Sequence, residues 1–186
     1  MPHNILITGA SGYLGGTLLA RWQSASLPPY GNLYALVRTE EQAQAVKQYG
    51  AVPLVLDLQH HDKLTKTIIE KGITVIFFLI DAFSEQHQKL MIKALGEVKA
   101  KSGQEVHFLH TSGAKIFSSH TGFNTSEALL DTDPKVYDIQ KNANPPYKLL
   151  IQPARTNATV IDTAEDKGVR SYIFIPSIVY GEGEGF

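Results

Sequence analysis

One short segment limits what this chain can become. Thr8-Gly9-Ala10-Ser11-Gly12-Tyr13-Leu14-Gly15 places glycines at 9, 12 and 15. It follows an apolar run, Ile5-Leu6-Ile7, and precedes a helical pattern. Glycine spacing of this kind at a strand-to-helix junction has a physical meaning. The first glycine permits a tight turn, the second lets the backbone approach a pyrophosphate, and the third lets helix and strand pack closely. The helix N-terminus adds unpaired N–H groups and the positive end of the dipole, which together hold phosphates. The alternative is a glycine-rich turn with no ligand. The context, a strand and a helix inside a unit of about 30 residues, favours a dinucleotide.

The rest of the chain repeats the strand-helix alternation. Strands are expected at Asn4–Thr8, Leu33–Val37, Val52–Leu56, Thr74–Ile80, Val106–Thr111 and Arg170–Ile175. Helical patterns fill the intervals near Gly12–Gln23, Glu40–Tyr49, His61–Lys71, Ser84–Lys101 and Pro153–Lys167. Short connections between alternating elements imply parallel strands joined by right-handed crossovers. The expected fold class is therefore α/β. It is a doubly wound parallel sheet of the Rossmann type, order 3-2-1-4-5-6, with flanking helices, in one domain over residues 1–186. Ser112 to Tyr147 is too long for an ordinary connection, and such stretches are usually functional.

Composition closes off other classes. Seventeen Lys+Arg against 18 Asp+Glu leave a net charge of −1, so no basic excess points to nucleic acid. The longest apolar run, Val75 to Ile80, is far short of the roughly 18 residues a spanning helix needs, so no membrane partner is expected. With no cysteine, thiolate ligands and a cysteine nucleophile are excluded, and the seven histidines form no metal-like set. The N-terminus has no secretory pattern, which makes a cytoplasmic location the default.

A resemblance becomes specific at several stations. Ile5 to Gly15 resembles the nucleotide fingerprint of extended and atypical short-chain dehydrogenases/reductases, a superfamily that includes epimerase/dehydratase-like and NmrA-like proteins. Leu36-Val37-Arg38 resembles the end of the second strand in NADP-using members. Asp57-Leu58 resembles the pair beside the adenine ring, and Phe108 to Gly113 the fifth-strand segment. Pro176-Ser177-Ile178-Val179-Tyr180-Gly181 resembles the segment lining the nicotinamide pocket. The resemblance implies a cofactor site of Gly9, Ser11, Gly12, Tyr13, Leu14, Gly15, Arg38, Asp57, Leu58, Ile80, Thr111, Pro176, Ile178 and Val179. Arg38 favours NADP over NAD, because a guanidinium grips a 2′-phosphate with two N–H bonds. The alternative is a solvated arginine. Glu40 and Glu41 follow it and could oppose a phosphate or reach a ribose.

Such enzymes use Ser/Thr, Tyr and Lys, with the lysine lowering the tyrosine pKa so that the phenol acts as acid or base. Tyr137 and Lys141 have the Tyr-x-x-x-Lys spacing, which on a helix puts both on one face. With Ser112 they form the expected catalytic set. The resemblance places the tyrosine near Leu149 and the lysine near Pro153, so Tyr137 stands twelve residues early. Tyr137 and Lys141 can equally be ordinary loop residues. Lys115 reads as a solvated cation, and Asp81 as either a pocket residue or a helix cap. The implied function is NADP(H)-dependent oxidoreduction of a small carbonyl or hydroxyl compound. A non-catalytic NmrA-like dinucleotide sensor and a nucleotide-sugar epimerase or dehydratase are the alternatives. Extended members continue into a C-terminal substrate lobe, which is expected to be absent or truncated here. A homo-oligomer covering the exposed sheet edge would fit that.

Overall fold

The computed structural model describes residues 1–185. Six parallel strands form one sheet in the order β3-β2-β1-β4-β5-β6. They are β1 (Asn4–Ile7), β2 (Leu33–Val37), β3 (Val52–Val55), β4 (Ile73–Phe78), β5 (His107–Thr111) and β6 (Arg170–Phe174). The helices are α1 (Tyr13–Trp22), α2 (Glu40–Lys47), α3 (His61–Glu70), α4 (Gln86–Ser102), α5 (Lys135–Lys141) and α6 (Ile151–Asp166). This is the doubly wound α/β arrangement that the alternation implies.

The pleat sends successive residues to opposite faces, so the central strands β1, β2 and β4 feed two cores. On one face Leu6, Ile76, Phe78 and Phe108 meet Leu64 and Ile68 of α3, Met91 and Leu95 of α4, and Val160 of α6. On the other, Ile5, Ile7 and Val37 meet Leu19 and Trp22 of α1 and Val46 of α2. That is why β2 and β4 read as nearly unbroken apolar runs: both faces are covered. Phe78 and Phe108 are fully buried, with ring centroids 5.8 Å apart. Truncating either to alanine would cost about 3–5 kcal/mol.

Most boundaries shift by a residue or two from the sequence expectation, and three of the shifts bear on the site. The fourth strand ends at Phe78 rather than Ile80. The Leu79 N–H leaves the ladder for the Thr8 hydroxyl at 3.1 Å, and that hydroxyl donates to the Phe77 carbonyl at 3.2 Å. The helix expected from Ser84 starts at Gln86, because the Asp81 carboxylate accepts the Phe83 and Ser84 N–H groups at 2.7 and 3.1 Å and holds a turn there. The last helix begins at Ile151, which leaves Pro153 still in the first turn, where its missing N–H costs nothing. Among the described residues no helix is long and apolar enough to cross a membrane.

Candidate functional site

The site begins where β1 turns into α1. Gly9 takes φ +62°, a left-handed conformation that side chains rarely adopt. The Gly12 N–H then closes the turn on the Gly9 carbonyl at 2.9 Å. A Cβ at Gly15 would lie 2.2 Å from that same carbonyl oxygen, so only glycine allows the helix to sit this close. Gly12 caps α1 in an extended conformation with no side-chain cap bond. The N–H groups of Tyr13, Leu14 and Gly15 therefore have no intrahelical acceptor, and no cap side chain competes for them. This is the turn geometry that the glycine spacing implies.

A cavity of about 390 Å³ extends from this turn along the C-terminal ends of β2, β3 and β4. It brings together Gly9, Ser11 and Gly12, Arg38, Asp57 and Leu58, and Ile80. These residues come from four separate loops, and the strand order alone puts them side by side. Arg38 is exposed and forms no ion pair among the described residues. Its backbone N–H donates to the Gln42 side chain at 2.9 Å, which fixes the loop at the start of α2. Glu40 turns along its own helix, its carboxylate accepting from Gln44 at 2.8 Å. Asp57 accepts the Gln59 N–H at 2.9 Å and shapes the loop after β3. His87 of α4 also lines this cavity and was not anticipated, because a histidine on an amphipathic helix carries no signal of its own. Burial pushes its pKa down, and the charge of neighbouring His61 adds to that.

The other positions expected to meet the cofactor are spread along the C-terminal edge of the sheet. Thr111 ends β5 opposite Phe174 and is half-buried. Pro176 is half-buried, while Ile178 is 87% exposed and Val179 47% exposed. Tyr13 does not aim its hydroxyl at the cavity. It donates to the Tyr180 and Gly181 carbonyls at 3.1 and 3.3 Å. The segment from Tyr180 to Gly185 then lies along α1. Thr17 accepts the Glu184 N–H at 3.1 Å, Arg21 pairs with the Glu184 carboxylate, and a Cβ on Gly16 would approach Gly185 Cα to 2.8 Å.

The three catalytic candidates fall into two places. Ser112 is 6% exposed just after β5, and its hydroxyl has no hydrogen-bond partner among the described residues. Tyr137 and Lys141 stand one turn apart on α5, the Lys141 ammonium 2.9 Å from the phenol oxygen. Asp162 of α6 completes the group. It accepts the Tyr137 hydroxyl and sits 3.0 Å from the Lys141 ammonium. The hydrogen bond to Asp162 pushes the phenol pKa up, against the opposing pull of Lys141. Tyr137 is therefore held protonated. Asp162 lies 25 residues beyond Tyr137, and nothing in the sequence pattern joins them. Asp81 acts as the turn cap described above, and Lys115 is exposed.

Tyr137 also lines a second cavity, of about 510 Å³, enclosed by α5, α6, β6 and the 112–147 segment. Its walls are mostly aliphatic and aromatic, among them Phe117, Val136, Ile161 and Ile173. Ala114 and Ile175, also in its wall, adjoin the segments that carry Ser112 and Pro176. On β5, His110 is fully buried with its ring 6.0 Å from that of Phe78, and burial pushes its pKa down to about 4.

Comparison with known proteins places this geometry. A ketoreductase of Stigmatella aurantiaca, named for 4-hydroxy-2-methyl-3-oxo-4-farnesyl-3,4-dihydroquinoline-1-oxide, is 38% identical over 71 residues, 38% of this chain and 20% of its own length. An uncharacterized protein of Schizosaccharomyces pombe is 26% identical over 97% of this chain and 55% of its own. The leucoanthocyanidin reductase of Vitis vinifera, solved with NADPH, superposes with a TM-score of 0.56 at 17% identity, over 91% of this chain and 46% of that one. The chain thus spans from a fifth to little more than half the length of these relatives. The model of the NAD dependent epimerase/dehydratase family matches residues 5–186, nearly the whole sequence. The chain belongs to the NAD dependent epimerase/dehydratase family.

Proposed function

We infer that the chain binds NADP(H) and serves the reduction of a small carbonyl compound. The observation that carries this reading is the 390 Å³ cavity, which is lined by both the glycine turn at an uncapped helix N-terminus and an arginine without an ion pair among the described residues. Two anionic groups, a pyrophosphate and a ribose 2′-phosphate, suit that turn and that arginine. Leu58 and Ile80 offer apolar walls for an adenine between them. When bound, the reduced nicotinamide supplies hydride to a carbonyl carbon, and a proton on the oxygen completes the alcohol.

The protein's own part at the reacting end is to place that proton. Tyr137 is kept as the neutral phenol, with Lys141 and Asp162 behind it. A neutral phenol can give its proton to a developing alkoxide, and the Lys141 ammonium beside it offsets part of the rise that Asp162 imposes on its pKa. Reduction of a cyclic carbonyl also accords with the name of the Stigmatella ketoreductase.

A second reading, a dinucleotide sensor without turnover, is favoured by one observation. The Tyr137 hydroxyl and the Lys141 ammonium both already engage Asp162. Tyr137→Phe separates the two readings. The reductase reading expects turnover, followed as loss of reduced-nicotinamide absorbance, to fall about 100-fold with NADPH affinity intact. Turnover unchanged in the variant would remove Tyr137 from the chemistry. No turnover in either protein, across a screen of carbonyl compounds, would support the sensor.

A further inference from the structure

We propose that the 510 Å³ cavity under the 112–147 segment is the substrate site, and that it takes an uncharged, flat, apolar carbonyl compound whose oxygen is held by the side-chain amide of Gln140. This rests on the reductase reading given above. The volume lies within the range of about 300–1,000 Å³ typical of small-molecule sites. Phe117, Leu130, Val136, Ile161, Ile173 and Ile175 supply apolar walls, which favour a ligand that leaves water with little polar surface.

Gln140 is the polar exception. It lines the cavity, is only 4% exposed, and its side-chain nitrogen is buried without a hydrogen-bond partner among the described residues. A buried N–H left unmade is costly, and a ligand oxygen would satisfy it. Tyr137 and Gln140 are three positions apart on α5 and so share a face, and both line the cavity. A carbonyl oxygen held by Gln140 would then lie on the side of α5 that carries the phenol.

Charge decides against the sugar nucleotides. Among the described residues lining the cavity there is no lysine, arginine or histidine, whereas Asp131 and Asp133 do line it. The nearby Lys141 ammonium is paired with Asp162. A diphosphate would meet two carboxylates and no free cation there.

Isothermal titration of the 186-residue chain tests this with three probes. They are 1-tetralone, tetralin (the same skeleton without the oxygen) and UDP-glucose. 1-Tetralone should bind about fivefold tighter than tetralin, the margin of one neutral hydrogen bond. Gln140→Leu should close that gap. Ile161→Trp and Val136→Trp, filling the cavity from two walls, should each weaken both ligands about tenfold or more. NADPH affinity should be the same in all three variants. The proposal is overturned if both cavity-filling variants bind 1-tetralone normally, if the gap survives Gln140→Leu, or if UDP-glucose displaces 1-tetralone. NADPH binding without 1-tetralone binding also overturns it. Binding of 1-tetralone without NADPH overturns the reductase reading instead, and with it the substrate role.

Discussion

Gly15 and His110 show what single residues decide in this protein. With only 2.2 Å between a Cβ at Gly15 and the Gly9 carbonyl oxygen, Gly15→Ala must push α1 off β1. The expected loss is about 1–3 kcal/mol of stability, read by urea unfolding, together with most of the NADPH affinity, read by titration. Wild-type affinity in that variant would refute the glycine turn as a phosphate cradle. His110 sets an acid limit. Its pKa is about 4 when folded against an ordinary 6.5, so the unfolded chain takes up the proton first. Stability is full above pH 6.5 and falls as pH drops toward 4, by about 3 kcal/mol in all. His87 is shifted in the same direction, while the lowered Asp162 and Glu184 carboxyls act at still lower pH. Urea unfolding at several pH values should show this slope, and His110→Asn should flatten it. The glycine turn and the place of Arg38 beside it were legible because both follow directly from the ends of β1 and β2. Gln140 and His87 were not, because a polar residue on a helix announces its burial only through what packs against it.

At the scale of elements, α5 depends on its neighbour α6. It is one seven-residue helix, too short to persist alone, and it meets α6 through an exposed group of Tyr137, Lys141 and Asp162. Exposed ion pairs contribute little to global stability, typically up to about 1 kcal/mol. Asp162→Ala should therefore leave the unfolding midpoint nearly unchanged while amide exchange in 135–141 speeds up about fivefold. Unaltered exchange there would mean that packing alone fixes α5. The periodic elements were legible to within a residue or two, since β2 and β4 carry unbroken apolar runs and α4 ends at a glycine. The Tyr137 to Lys141 spacing likewise fell on a real helix. The remainder of the 112–147 segment was not legible. Its short three-ten turns at Ala114–Phe117 and Ser119–Thr121 have no hydrophobic period and depend on local hydrogen bonds, such as Ser118 to the Lys115 carbonyl at 2.7 Å.

The whole molecule has one guarded edge and one open one. At β3 the outer strand is short and carries Pro53, which blunts further pairing. At β6 the exposed Tyr172 and Phe174 continue toward exposed Ile178 and Tyr180. Such an edge should drive self-association of this chain, visible by sedimentation as a weight that rises with concentration. Phe174→Lys should keep it monomeric, and concentration-independent sedimentation of the unaltered chain would contradict the expectation. The strand order was legible from the alternation together with the doubly wound pattern that the glycine turn implies, whereas the return of the 180–185 segment onto α1 was not. It depends on Gly16 and Gly185 meeting across the whole length of the chain. The central claim, that the glycine cradle and Arg38 form an NADP(H) site, is tested most directly by titrating the chain with NADPH and NADH and following nicotinamide fluorescence. The expected result is NADPH binding tighter by tenfold or more, about 1.4 kcal/mol, with that preference lost in Arg38→Ala. Binding of neither dinucleotide, or equal affinity for both, would contradict it.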